Sequence, residues 1–193
     1  MKEQDINMFN ELSSQWKENI PEKNYIIAKE VIKNLNIVKG ESLLDVACGT
    51  GILYPILKNT CLSKYTAMDI AEKMVSEFLK FHSNTDVRLM DFEEEVTFKE
   101  GFDYIIIFNS IPHFYDLNPV FKNAYNNLNP GGKFIIVHCR TREELKEHRK
   151  LLGYTSINEP IPIDSTLVEL CNRYDFKEMK IKDTDYFYFC CEK

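Results

Sequence analysis

Residues 43–51 read Leu43-Leu44-Asp45-Val46-Ala47-Cys48-Gly49-Thr50-Gly51, a short apolar run that breaks into two glycines two residues apart. A strand that delivers its chain into so bare a turn, with a helix expected to start near Ile52, is the opening of a βαβ unit. Ligands of such units bind in the crevice at the carboxyl ends of the strands. Gly49 and Gly51 allow a tight turn and close approach of the backbone to that ligand. The dinucleotide fingerprint G-x-G-x-x-G needs a third glycine, and that position is Tyr54. A phenol there opposes NAD as cofactor, and no Gly-Lys-Ser/Thr follows the turn to make a Walker A loop.

The surrounding sequence supplies the rest of a sheet. Apolar runs at 43–47, 65–70, 87–92, 102–109 and 133–139 each end in a polar or turn residue, and Tyr104–Phe108 is apolar at every position. Such a run predicts a central strand covered on both faces. Helical stripes fill the gaps, with Met74, Val75 and Phe78 on one and Phe121, Ala124 and Leu128 on another. Strands alternating with helices imply parallel pairing through right-handed crossovers, hence a three-layer α/β domain. Asn129-Pro130-Gly131-Gly132 reads as a turn leading into the strand at 133–139. Near the C-terminus, strands at 177–183 and 185–192 are joined within Asp183–Asp185, too short for a parallel crossover. They predict an antiparallel hairpin that closes a seven-stranded, mostly parallel sheet.

The chain has 193 residues, 24 Lys+Arg against 30 Asp+Glu, and a formal charge of -6. One domain is expected, with residues 1–38 as an N-terminal helical lid and 39–193 as the core. The acidic balance argues against a nucleic-acid partner. No signal-peptide h-region opens the sequence and no run is long enough to span a bilayer, so the expectation is a cytoplasmic protein with no membrane association. The six cysteines show no C-x-x-C spacing and read as reduced thiols, with neither disulfides nor a zinc site expected.

Asp69 ends the second strand, 18 residues after Gly51, where a carboxylate can accept hydrogen bonds from both hydroxyls of a ribose. With the third glycine absent, a nucleoside whose tail carries an amino acid fits better than a dinucleotide. At this point LLDVACGTG, YTAMDI, VRLMDF, FDYIIIFNSI and LNPGGKFIIVH, in that order, resemble a class I S-adenosylmethionine-dependent methyltransferase of the small-molecule type. The resemblance is firm over residues 40–140. It implies S-adenosylmethionine as cofactor, a Rossmann-like fold, and a cofactor site made from Asp45, Ala47, Gly49 and Gly51 beneath the methionine part. It further implies Asp69 on the ribose, Met68 and Ile70 flanking the adenine, Asp91 and Phe92 beside it, and Asn109 and Ser110 toward the methionine or the acceptor.

Methyl transfer from a sulfonium is a direct displacement, so alignment carries much of the catalysis, with proton removal where the acceptor bears one. His113 and His138 follow neighbouring strands and are the candidate catalytic residues. Arg140 shares a strand face with His138, and His148 sits on the polar segment 142–150, from which it and Arg149 could enter the substrate site. Phe9, Trp16 and Tyr25 in the N-terminal helices are candidates for an aromatic wall of the acceptor pocket. Three dispersed histidines without tight spacing do not make a metal site, and none is expected. Ser110-Ile111 stands where amino- and nucleobase-methylating relatives carry two prolines, a second argument against nucleic acid. The expected function is methyl transfer to a small molecule through O, N, S or C. A protein acceptor and a non-catalytic S-adenosylmethionine- or S-adenosylhomocysteine-binding module are the alternatives, and the sequence does not speak to oligomeric state.

Overall fold

The computed structural model describes residues 3–153 and 159–193. Two N-terminal helices, α1 (Glu3–Trp16) and α2 (Glu22–Leu35), precede strand β1 (Ser42–Val46). There follow α3 (Tyr54–Leu57), β2 (Lys64–Asp69), α4 (Glu72–Phe81), β3 (Asp86–Leu89), β4 (Phe102–Phe108), α5 (Leu117–Asn127) and β5 (Leu128–His138). The chain ends with α6 (Arg142–Leu151), α7 (Asp164–Arg173), β6 (Lys177–Asp183) and β7 (Phe187–Glu192). The seven strands form one sheet in the order β3-β2-β1-β4-β5-β7-β6. All pairs are parallel except β5 with β7 and β7 with β6, as the short Asp183–Asp185 connection requires.

The uniform apolarity of β4 follows from its two covered faces. Ile105 and Ile107 enter one core with Val120 and Phe121 of α5 and Leu167 of α7. Tyr104, Ile106 and Phe108 enter the other with Ile27, Ala28, Val31 and Ile32 of α2. Each residue is thus desolvated, whichever side the pleat sends it. The segment 1–38, expected as one lid, is therefore two things. The α2 helix is part of the core cover, whereas α1 buries only Ser13 and fastens to the outside of the fold.

Two local expectations differ from what forms. The helix expected near Ile52 is the single turn α3, with Pro55 in its first turn. Asn129–Gly132 is not a turn ahead of a strand but an excursion inside β5. Phe102 pairs with Leu128 and Tyr104 with Lys133, so the extra residues bulge out and Gly131 takes φ 78° to allow it. Among the described residues no helix is long and apolar enough to cross a membrane.

Candidate active site

The carboxyl ends of β2, β1, β4 and β5 open onto a cavity of about 470 Å³, within the range of small-molecule sites. The loop after β1 forms its floor. Ala47, Gly49 and Gly51 adopt φ of 55°, 55° and 89°, alternate left-handed residues that fold the chain back on itself. Gly51 N–H bonds to the Cys48 carbonyl and Cys48 N–H to that of Met68, each at 3.0 Å. The third special position of the loop is therefore Ala47, upstream of the glycines. Tyr54 packs away from the cavity, 5.1 Å from the Tyr65 ring and 4.9 Å from that of His82. The two glycines differ in purpose. Gly49 lines the cavity, and a Cβ there would come no nearer than 3.8 Å to Nε1 of Trp16. Gly51 stands outside it, and a Cβ there would collide with Phe78 at 2.5 Å.

Asp69 is the only carboxylate in the cavity wall among the described residues. Oδ2 accepts the Gly49 N–H at 2.8 Å and Oδ1 the Ala71 N–H at 2.9 Å. Burial pushes its pKa up while these backbone donors pull it back. Each oxygen keeps a further acceptor site, so two ribose hydroxyls fit the arrangement. Cradle, acid and cavity together suit an adenosine-type cofactor carrying an amino-acid tail.

Several residues named for the cofactor lie elsewhere. The Asp45 carboxylate accepts the Tyr65 O–H at 2.7 Å, outside the cavity, and burial first, with Asp69 adding repulsion, pushes its pKa up to about 7. Met68 and Phe92 pack in the core with Leu44 and Val46, because the pleat turns Met68 opposite to Asp69. Asp91 closes a turn by accepting the Glu93 N–H. Neither Asp91 nor Ile70 lines the cavity, and Asn24 lines it in place of Tyr25 because the buried face of α2 is turned into the core.

Asn109, Ser110, His113, His138, Arg140 and His148, from the tips of β4 and β5 onward, also line the cavity. Asn109 takes φ 59°, its Oδ1 accepts the Cys139 N–H at 3.0 Å, and Ser110 donates to the Ala47 carbonyl at 3.2 Å. These bonds tie the tips of β1, β4 and β5 together. The His113 ring meets Phe9 of α1 edge-on at 4.8 Å. Burial lowers its pKa, with Arg149 reinforcing the shift and Asp5 opposing it. His138 is lowered to about 4, chiefly by burial, with Arg140, His113 and Arg149 adding to it. Its Nδ1 lies 3.1 Å from the Arg140 nitrogen and 3.2 Å from the Arg140 carbonyl oxygen, so the backbone of that residue anchors the ring through Nδ1 in either tautomer.

Helix α6 supplies a stripe that sequence reading only partly found. Leu145, His148, Arg149 and Leu152 all line the cavity, at the spacing of one helix face. A capping box fixes where the helix starts: Thr141 Oγ1 accepts the Glu144 N–H and Glu144 Oε2 accepts the Thr141 N–H. Asn19, Ile20 and Pro21, between α1 and α2, also line the cavity, and no motif marks them. A second cavity of about 520 Å³ shares Pro112, His113 and Arg149 with the first, so His113 stands in the wall between them. Among the described residues no group of three His, Cys, Asp or Glu side chains could hold a metal ion.

Comparison with known proteins agrees with this architecture. Residues 44–136 match the family model described as a methyltransferase domain. Juvenile hormone acid O-methyltransferase of Bombyx mori is 30% identical over 105 residues, covering 51% of this chain and 38% of that protein. The ribosomal protein L11 methyltransferase of Staphylococcus aureus is 30% identical over 129 residues, covering 64% and 40%. The chain spans less than half the length of either relative. Haemonchus contortus phosphoethanolamine N-methyltransferase 2, solved with phosphomonomethylethanolamine and S-adenosylhomocysteine, superposes with a TM-score of 0.69 at 16% identity, over 86% of this chain and 52% of that one. Residues 44–136 thus carry a methyltransferase domain, on a sheet that has the fold of solved S-adenosylmethionine-dependent methyltransferases.

Proposed function

We propose that the protein transfers a methyl group from S-adenosylmethionine to a small-molecule acceptor through O, N, S or C. The observation that carries this reading is a single cavity with Asp69 and the Gly49 loop at one end and His113, His138 and Arg140 at the other. When bound, the cofactor supplies a methyl group made electrophilic by its sulfonium. Asp69 accepts hydrogen bonds from the ribose hydroxyls, Gly49 leaves room for close backbone approach, and Asn109 and Ser110 flank the methionine part. The acceptor occupies the β5 and α6 side. Trp16 and Phe9 close the cavity from above and restrict water, which favours in-line alignment over hydrolysis. His113, kept neutral by burial, can take the proton that an acceptor O–H, N–H or S–H gives up. His138, its ring anchored through Nδ1 by the Arg140 backbone, positions the acceptor.

The space beyond the glycine loop, in a cavity of about 470 Å³, suits a small acceptor. A protein acceptor, as in the name of the ribosomal protein L11 relative, is the second reading. Calorimetric titration with S-adenosylhomocysteine and NAD tests the cofactor, with binding of the first alone expected. Incubation with S-adenosylmethionine and a panel of small thiols, amines, phenols and quinols, read as S-adenosylhomocysteine release, tests the reaction. Tighter binding of NAD overturns the reading, and cofactor binding without turnover of any acceptor favours a non-catalytic module.

A further inference from the structure

The acceptor end of the cavity has a charge opposite to that of the whole chain. The protein carries a formal charge of -6. Yet the wall on the β5 and α6 side holds Arg140, Arg149, His138 and His148 and no carboxylate among the described residues. The one acid, Asp69, ends β2, three strands from β5 in the sheet order. At about 5 Å per strand it stands about 14 Å away.

Arg140 differs from its neighbour Arg142. Arg142 is fully occupied, with its guanidinium donating to the Pro162 carbonyl and pairing with Asp164 and Asp183. Arg140 is half-buried in the cavity wall, and among the described residues its guanidinium makes neither a hydrogen bond nor an ion pair. Glu144, four residues on, is already engaged by the Thr141 N–H and Lys23. A guanidinium held out of bulk water with its five donors unused is a site for an anion, since planar carboxylate and phosphate oxygens match its fork.

We propose that the methyl acceptor carries an anionic group, a carboxylate or a phosphate ester, bound by the Arg140 guanidinium. The proposal rests on the methyltransferase reading above and names the acceptor class for that same cavity. The anion is a handle. It fixes one end of the acceptor at the β5 tip and leaves the nucleophilic atom to point back toward the glycine loop, past His113.

The test separates the two readings. S-adenosylhomocysteine is first titrated calorimetrically into the wild type and Arg140→Gln; no binding to the wild type would sink the cofactor reading and this inference with it. The loaded proteins are then titrated with benzoate, phenyl phosphate and the neutral benzamide by ligand-observed NMR. At least one of the two anions is expected to bind about tenfold or more tightly than benzamide to the wild type. Arg140→Gln should erase that margin with S-adenosylhomocysteine affinity unchanged, and Arg140→Lys should keep part of it. Benzoate against phenyl phosphate decides between carboxylate and phosphate. Equal binding of all three probes, or a margin that survives in Arg140→Gln, overturns the proposal. So does a matching loss of S-adenosylhomocysteine affinity, which would put the guanidinium on the cofactor's own carboxylate.

Discussion

Asp69 Oδ2 accepts the Gly49 N–H at 2.8 Å, so the acid at the tip of β2 and the glycine loop at the tip of β1 are held as one unit. Asp69→Ala frees the Gly49 and Ala71 N–H groups and, on the function proposed above, removes the ribose acceptors. Cofactor affinity should fall at least about tenfold, because each charge-assisted hydrogen bond contributes roughly 1.5–3 kcal/mol. Calorimetry with S-adenosylhomocysteine checks it, and unchanged affinity would show that the ribose binds elsewhere.

The two glycines of the loop should respond differently to one added methyl group. Gly51→Ala drives a Cβ into the Phe78 ring, so overpacking should cost about 1–3 kcal/mol and lower Tm by several degrees. Gly49→Ala meets nothing closer than 3.8 Å, so it bears only the strain of its left-handed backbone, about 1–2 kcal/mol. It should lower Tm less than Gly51→Ala, which adds the collision to the same kind of strain, while weakening the cofactor. Thermal unfolding and calorimetry on both variants decide the matter; a reversed order of Tm values would refute the division of labour.

Asp45 gives a prediction about stability alone. Its folded pKa, about 7, lies above the ordinary 3.8, so the folded chain holds a proton that the unfolded chain releases between those values. The stability this group contributes is present below about 3.8 and is lost as pH rises through about 7. Asp45→Asn keeps an acceptor for the Tyr65 O–H and carries no charge. It should therefore be more stable than wild type at pH 8, with the advantage shrinking toward pH 4. Denaturant titrations at the two pH values would show a constant difference if Asp45 did not titrate in this way.

His113 and His138 should be separable by kinetics. Burial lowers both, so the proton-accepting form of His113 is already dominant at neutral pH. Turnover should rise as pH climbs through a value below 6.5 and then level off. His113→Ala should lower kcat roughly 10²–10⁴-fold for an acceptor that loses a proton. His138→Ala should act mainly on KM for the acceptor, as expected of a residue that positions it. An unchanged pH–rate profile in His113→Ala would remove it from proton transfer.

Much of the architecture was legible because it rests on local pattern. The run Tyr104–Phe108 announced a strand covered on both sides, and the brevity of Asp183–Asp185 forced the antiparallel end. Asp69, Asn109 and His138 were legible as residues of one crevice, because a strand tip decides where they fall. The site was misread where a motif was carried over as a string of neighbours. Met68 and Asp69 are adjacent in a strand, so the pleat forbids both from facing one ligand. Asp45 was illegible for another reason: its partner Tyr65 lies on the neighbouring strand, 20 residues away. The bulge at Asn129–Gly132 was missed because Pro-Gly-Gly signals a reversal equally well inside a strand and before one.

The meagre burial of α1 has a consequence for how solvent and solutes reach Asp69. Whereas α2 sinks Ile27, Ala28, Val31 and Ile32 into the core, α1 buries Ser13 alone. It is held by bonds such as Tyr115 O–H to Asp5, Lys73 N–H to Asn10 and the edge-on contact of Phe9 with His113. Each such bond contributes about 1 kcal/mol, so α1 can detach at a small fraction of the free energy of global unfolding. Its amides should trade hydrogen for deuterium long before those of β4, and should slow when S-adenosylhomocysteine fills the cavity beneath. On this account the release of a ligand should follow the peeling of one helix, while the sheet beneath stays intact.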